Sequence, residues 1–300
     1  MIKRNENFII GVDHGYGYIK TSSTIMKAGI EELADMPPFK DDILVFNDRV
    51  FAVGQNRTEQ YEDKTKTEDY YLLTLAAIAS ELRQKNLQSA NNIILAVGLP
   101  YSFFSRQKDS FIRYLSRNKN ISFKYEGKQY RISIKKVKVF PQGFPMISDQ
   151  LDTVTDITVV DIGSRTIDIL TFTNGKPVYK KCFSINNRGT LDCIENINKA
   201  YTTKYGGKLS EEMIQKLFIG QKVSLPQENQ TFIKKHIRNY VLGIIQELEN
   251  KDVFYNIVFC GGGATVIKLY APEKIDESSV IKDDIFSNAK GFEKLADATT

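Results

Sequence analysis

Cysteine and histidine are scarce in this sequence: 300 residues hold three of the first and two of the second. Cys182, Cys193 and Cys260 are odd in number, far apart and flanked by apolar residues. That excludes a disulfide framework and a cysteine zinc site and points to buried thiols. His14 and His236 are too distant to make a metal cluster. His14 falls in a glycine-rich segment, where a solvent-facing turn position is expected and an approach to a ligand is the alternative. No stretch reaches about 18 uninterrupted apolar residues, which excludes a transmembrane helix. The opening MIKRNENFIIGVD lacks an apolar secretory core and a small-residue cleavage site, so a cytoplasmic location is expected. Also missing are the G-x-x-x-x-G-K-[ST] phosphate loop, the G-x-G-x-x-G dinucleotide spacing, and any helix-turn-helix or zinc-finger pattern.

What is present is enough apolar chain for a sizeable core. At 42% hydrophobic, a chain of this length holds two domains or two halves of a duplicated unit. A net charge of +5 is a mild basic excess, short of a nucleic-acid signature. The densest basic stretch runs from Lys124 to Lys138, where basic and apolar residues alternate. That alternation fits a strand with one solvated face, or a contact surface for an acidic partner or a neighbouring protomer.

Strand and helix patterns alternate, which makes the class α/β. Strands are expected at 8–12, 18–23, 43–46, 50–53, 93–98, 121–125 and 130–140, with helices at 70–85 and 103–117. A second series opens with strands at 157–162, 166–173 and 178–185. Helices follow at 190–204, 210–218 and 227–249, then a strand at 256–260. Segments 27–42 and 56–68 are polar and read as loop-rich.

The two series begin alike. Ile10-Gly-Val-Asp13-His-Gly15 and Val159-Val-Asp161-Ile-Gly163 lie about 150 residues apart, each a strand, Asp-x-Gly and a returning strand. A nucleoside triphosphate needs backbone N–H groups close to its phosphates, which glycine permits, and carboxylates to hold magnesium through its waters. Asp13-x-Gly15-x-Gly17 followed by Lys20 offers one such set. Asp161-x-Gly163-Ser164-x-Thr166-x-Asp168 offers another, and Phe259-Cys-Gly-Gly-Gly-Ala264 adds a third glycine cluster. One Asp-x-Gly hairpin is an ordinary tight turn; two in this order, each after a buried strand, point to a phosphate site.

In this order the motifs resemble the actin, sugar kinase and 70-kDa heat-shock chaperone superfamily. Gly11 to Lys20 is similar to its phosphate 1 motif, Val160 to Asp168 to phosphate 2, and Val258 to Ala264 to the adenosine motif. The Asp-x-Gly-x-Gly-x-x-Lys form and Phe286-Ser-Asn-Ala-Lys-Gly-Phe292 look like the ParM/StbA branch of plasmid-segregation proteins. The resemblance spans residues 9–292 and is weakest over 24–70. It implies an actin-like ATPase fold, two ribonuclease-H-like domains around a nucleotide cleft across which the two hairpins face each other. Domain I is then 1–155, with a small outer subdomain at about 24–70 and a C-terminal helix at about 280–300. Domain II is 156–279.

The resemblance also implies roles. Asp13 and Asp161 position Mg2+ and its waters, and Lys20 offsets phosphate charge. Gly15, Tyr16, Gly17, Gly163, Ser164, Arg165 and Thr166 line the phosphates, and Gly261, Gly262 and Gly263 pack against the nucleotide. Gln142 orients the hydrolytic water, or is simply a turn glutamine beside Pro141 and Gly143. Asp168 holds that water or bonds neighbouring backbone. Asp192 takes a ribose hydroxyl or answers the helix dipole. Ser164 stands where the family usually has glycine, so it must keep a negative φ. The expected function is a slow ATPase, or GTPase, coupled to formation of a homopolymeric filament that segregates plasmid DNA through a ParR-type DNA-binding adaptor. Neither direct nucleic-acid binding nor a membrane partner is expected. The alternatives are a small-molecule kinase or phosphatase of this fold and a non-hydrolysing scaffold of cell division or pilus assembly.

Overall fold

The computed structural model describes residues 1–57, 62–151 and 153–300, so part of the loop-rich segment 56–68 lies outside the described residues. The chain divides into two compact units. Unit 1 is Met1–Pro145 with Phe286–Thr300, and unit 2 is Met146–Ile285. Residues 146–155 and 280–285, which the sequence reading assigned to the first domain, thus group with unit 2.

Unit 1 opens with β1 (Ile2–Arg4), β2 (Asn7–His14), β3 (Tyr18–Lys20), β4 (Ile25–Lys27), β5 (Ile30–Leu33), β6 (Ile43–Phe46) and β7 (Arg49–Val53). It continues with α1 (Asp69–Gln84), β8 (Ser89–Leu99), α2 (Tyr101–Leu115), β9 (Asn120–Tyr125) and β10 (Lys128–Pro141). The strands form one sheet in the order β4-β3-β2-β8-β10-β9-β6-β7-β5, with β1 paired to β2. β8 runs parallel to both β2 and β10. Strands β4 to β7, from the segment 24–70, are continuous with this sheet, because β4 pairs with β3 and β6 with β9. The expected strand 18–23 stops at Lys20: Thr21 folds back, its hydroxyl accepting the Thr24 amide at 2.9 Å, a local bond that competes with the ladder. α1 is apolar nearly all round, from Leu72 to Leu82, as befits a helix buried on every side.

Unit 2 contains β11 (Asp156–Ile162), β12 (Thr166–Thr173), β13 (Lys176–Pro177), β14 (Phe183–Asn186), α3 (Thr190–Tyr205), α4 (Glu211–Phe218) and α5 (Gln227–Glu249). It ends with β15 (Ile257–Cys260), α6 (Ala264–Tyr270) and β16 (Val280–Ile281). Its sheet runs β13-β12-β11-β15-β16, with β14 also on β12. The single strand expected over 178–185 is broken: Val178 still donates to the Thr171 carbonyl at 2.8 Å, but Tyr179–Lys181 form a helical turn and the ladder resumes only at Phe183 in β14. Val160, Ile162, Ile167 and Ile169 pack with Ile194, Ile197, Ile237 and Val241 in the core.

The last helix, α7 (Ser287–Ala298), is shorter than the expected 280–300, because Val280 and Ile281 pair with β15. It returns to unit 1, where Phe292 and Ala296 join Ile9, Ile94 and Ala96. A side chain at Gly11 would put its Cβ 2.0 Å from the Ala289 carbonyl oxygen, so only glycine lets α7 lie this close. The Glu293 carboxylate accepts the Gly11 amide at 2.9 Å. All three cysteines are buried and none is in a disulfide. No helix among the described residues is long and apolar enough to cross a membrane.

Candidate functional site

In unit 1 the β2–β3 hairpin sets Asp13 opposite Lys20. Both side chains leave the same face of the ladder, and the Lys20 ammonium stands 4.0 Å from the carboxylate. Gly15 closes the turn: a Cβ there would meet the Tyr18 carbonyl oxygen at 2.7 Å. The Asp13 carboxylate is buried and accepts a 2.8 Å hydrogen bond from the Gln142 amide. Gln142 follows β10, and its backbone is fixed first. Its N–H donates to the Leu99 carbonyl at 2.9 Å, and the next residue, Gly143, donates to the Asn288 side chain of α7 at 3.1 Å. Gly143 has a φ of 76°, a conformation that favours glycine.

His14 is not the solvent-facing turn residue the sequence suggested. It ends β2 fully buried, edge-on to Phe111 at 5.3 Å, because the strand runs two residues past its expected end at Val12. Its Nε2 lies 2.7 Å from the Thr74 hydroxyl, which itself donates to the Tyr70 carbonyl at 2.6 Å. Nε2 therefore carries the proton and donates to Thr74. Burial, reinforced by the nearby Lys64 ammonium, lowers the imidazole to about 3, so the ring is neutral. No motif in the sequence singles out Lys64. It is buried, donates to the His14 carbonyl and lies over the rings of Tyr16 at 4.6 Å and Tyr70 at 5.2 Å. A lysine in a polar loop has no sequence signal of this kind; only its burial identifies it.

Unit 2 repeats the turn. A Cβ on Gly163 would meet the Thr166 carbonyl oxygen at 2.9 Å, the same three-residue relation as Gly15 to Tyr18. The Gly163 amide closes the turn on that carbonyl at 2.9 Å. Asp161 and Asp168 are directly opposite on β11 and β12 and both are buried. Two carboxylates at such a position repel one another unless a cation or donors intervene. The Ser184 hydroxyl on β14 donates to Asp168. Ser164 is absent from the described non-glycine residues with positive φ, so its backbone presents its N–H without strain.

The turn rests on the start of α3. The Thr190 and Leu191 amides donate to the carbonyls of Gly163 and Ser164 at 3.0 and 2.9 Å, which uses two of the free amides of that helix. Asp192 caps the helix by accepting the Gly189 amide at 2.8 Å. Its other oxygen takes Arg165 at 2.6 Å, and Arg165 also reaches Glu195 at 2.5 Å. The three glycines after β15 do different things. Gly261 has a φ of 83° and a Cβ there would sit 2.2 Å from the Asp161 carboxylate; at Gly263 it would strike Ile162 at 2.3 Å; at Gly262 it would enter open space. Beside Asp192, a cavity of about 270 Å³ runs along α3 and α5, with Asn196, His236, Asn239 and Tyr240 in its wall. The buried Tyr240 hydroxyl has no hydrogen-bond partner among the described residues.

No group of three or more acidic, histidine or cysteine side chains that would cage a metal occurs among the described residues. The donor set suits Mg2+ all the same. That ion keeps most of its waters and takes one or two carboxylates plus phosphate oxygens, and the opposed pair Asp161 and Asp168 offers negative charge that a cation relieves.

Residues 11–144 match the family model for the N-terminal domain of actin like proteins, and residues 159–270 match that for the C-terminal domain of archaeal MreB-like actin homologues. No curated protein matches the sequence. Among solved structures, a 15-stranded ParM filament from Clostridium botulinum is 20% identical, with a TM-score of 0.77 over 98% of this chain and 99% of that one. An apo ParM crystal structure is 20% identical, with a TM-score of 0.73 over 98% of both chains. An archaeal actin homologue in complex with ADP is 18% identical, with a TM-score of 0.71 over 97% and 99%.

Proposed function

With the fold of this chain established as actin-like, we propose that it is a filament-forming nucleoside triphosphatase that binds ATP or GTP with Mg2+ and hydrolyses it slowly as it polymerises. The observation that carries this reading is the recurrence of one turn geometry in both units, at Gly15 and Gly163, each following a strand whose last residue but one is a buried aspartate. In unit 1, the amides of the Gly15–Gly17 turn and Lys20 would hold phosphate oxygens. In unit 2, the Gly163–Thr166 turn would do the same, with ribose and base extending past Asp192 into the α3–α5 cavity. Asp13 and Asp161 would hold waters of Mg2+, which when bound neutralises charge on the β and γ phosphates.

Gln142 is suited to orienting water rather than deprotonating it, since an amide is not basic near neutral pH. One of its N–H bonds is spent on Asp13. Its carbonyl oxygen then remains as an acceptor for a proton of the attacking water. A kinase of this fold would need a carboxylate base in that place. Asp192, already bonded to Gly189 and Arg165, would meet a ribose hydroxyl only through a spare lone pair.

The likeness to ParM filaments supports a role in moving plasmid DNA, with a ParR-type adaptor making the DNA contact. Light scattering and pelleting with ATP, GTP, ADP and no nucleotide test the core of the reading. Assembly at micromolar protein with a triphosphate, followed by phosphate release and disassembly, is expected. Absence of any nucleotide-dependent assembly overturns it.

A further inference from the structure

The charge of this protein is unevenly placed. Residues 101–138 carry eleven lysines and arginines against Asp109 and Glu126, and Glu126 is already paired with Arg83. That is an excess of +9 in a chain whose total is +5, so the remainder is negative by four.

Part of this charge lies on one uncovered sheet face. In the β9–β10 ladder, Phe123 faces Tyr130 and Ile121 faces Ile132, all buried on the side of the core. The alternate pairs, Lys124 with Gln129 and Ser122 with Arg131, point the other way. α7 covers that outer side only as far as Lys138, whose ammonium donates to the Ala296 carbonyl at 2.9 Å. Lys124, Arg131 and Lys136 are left exposed, and their side chains make no ion pair or hydrogen bond among the described residues.

The same chain carries a negative counterpart in unit 2. Residues 272–285 contain Glu273, Asp276, Glu277, Asp283 and Asp284 against Lys274 and Lys282. Lys282 is turned inward onto the Met146 carbonyl at 2.7 Å, and Glu273 is held by Arg238. Asp276, Glu277 and Asp283 remain exposed. They flank β16, the outermost strand of its sheet, where Val280 is 50% exposed. The uncovered edge strand, its exposed valine and its acidic flanks together make one acidic patch.

We propose that the basic outer face of β9–β10 in one copy receives the acidic β16 edge of a second copy. This rests on the filament reading above and assigns it a contact. Two different patches on one chain give a heterologous contact, which builds an open filament wherever its rotation does not close into a ring. The other acidic stretch, 31–42, is the weaker partner, because Glu32 and Glu31 are already held by Arg49 and Asn56. Nucleic acid fits less well too, since a flat sheet face presents no helix or ribbon to a groove, and no exposed aromatic stands among Lys124, Gln129 and Arg131 for base stacking.

A charge-swap assembly assay tests this. Variant A carries Lys124→Glu and Arg131→Glu; variant B carries Asp276→Lys and Glu277→Lys. Each is checked for binding of a fluorescent ATP analogue, which both should retain. Alone with ATP, each should show a critical concentration raised by about tenfold or more, and the equimolar mixture should recover assembly, because A's new acidic face meets B's new basic edge. Wild-type assembly should weaken with added salt. If wild type assembles and A or B assembles equally well, or the mixture stays as poor as its parts, this contact is wrong and the filament reading stands. If wild type shows no nucleotide-dependent assembly, both fall. Retention of duplex DNA by wild type and its loss in A, with assembly unchanged, assigns the face to nucleic acid and overturns the proposal.

Discussion

The Gln142 amide donates to the Asp13 carboxylate across 2.8 Å, joining residues 129 positions apart. The bond fixes which end of the amide is left for water, and it makes each residue depend on the other. Gln142→Ala should lower single-turnover phosphate release by about 10²-fold while binding of a triphosphate changes little. Equal losses in binding and turnover would show that Gln142 serves only to build the site.

Asp13 and Asp161 are expected to act through the metal. Asp161→Asn should weaken the Mg2+-dependent part of triphosphate affinity by about tenfold, and in excess chelator wild type and variant should bind alike. The comparison is a Mg2+ titration at fixed nucleotide. A deficit that persists without magnesium would assign Asp161 to direct nucleotide or structural contacts.

Lys64 grips the carbonyl of His14 and covers Tyr16, so it should steady the first turn. Lys64→Met removes a buried, charge-assisted hydrogen bond, worth about 1.5–3 kcal/mol. Calorimetry should find triphosphate affinity down by about tenfold or more, with Lys64→Arg intermediate. Unchanged affinity in a variant that melts earlier would confine Lys64 to stability.

His14 makes stability depend on pH. Its folded pKa is depressed, to about 3 against an ordinary 6.5, so between those values the unfolded chain binds a proton that the native chain refuses. Its contribution is complete above about pH 6.5 and is lost as pH falls toward 3, about 2 kcal/mol of it by pH 5. Urea unfolding at pH 7.5 and 5 should show that loss. His14→Gln, which retains an N–H near Thr74, should flatten it; an unaltered slope would place the titration elsewhere.

Much of the fold was legible because its signals are local. The hairpin motifs at Asp13 and Asp161 announce themselves by residue type and order, and apolar periodicity located α1, α2, α3 and α5 to within two residues. The failures have local causes too. A helical turn at Tyr179–Lys181 broke a run that reads as one strand, and Thr21 ended another by bonding the Thr24 amide three residues on. His14 was misplaced because glycine neighbours mark a turn but do not say on which residue the strand ends.

By itself the sequence determined the two Asp-x-Gly turns and the glutamine after β10, since glycine, aspartate and amide chemistry are carried by residue type. The tertiary structure alone decided that Gln142 meets Asp13 and that Asn288 braces Gly143 next to it. It also turned the Asp192 carboxylate to a helix cap and Arg165, and drew Lys64 from a polar loop to the first turn. Those relations depend on chain paths that bring distant segments within about 3 Å, the range over which hydrogen bonds act, and no pattern of neighbouring residues encodes them.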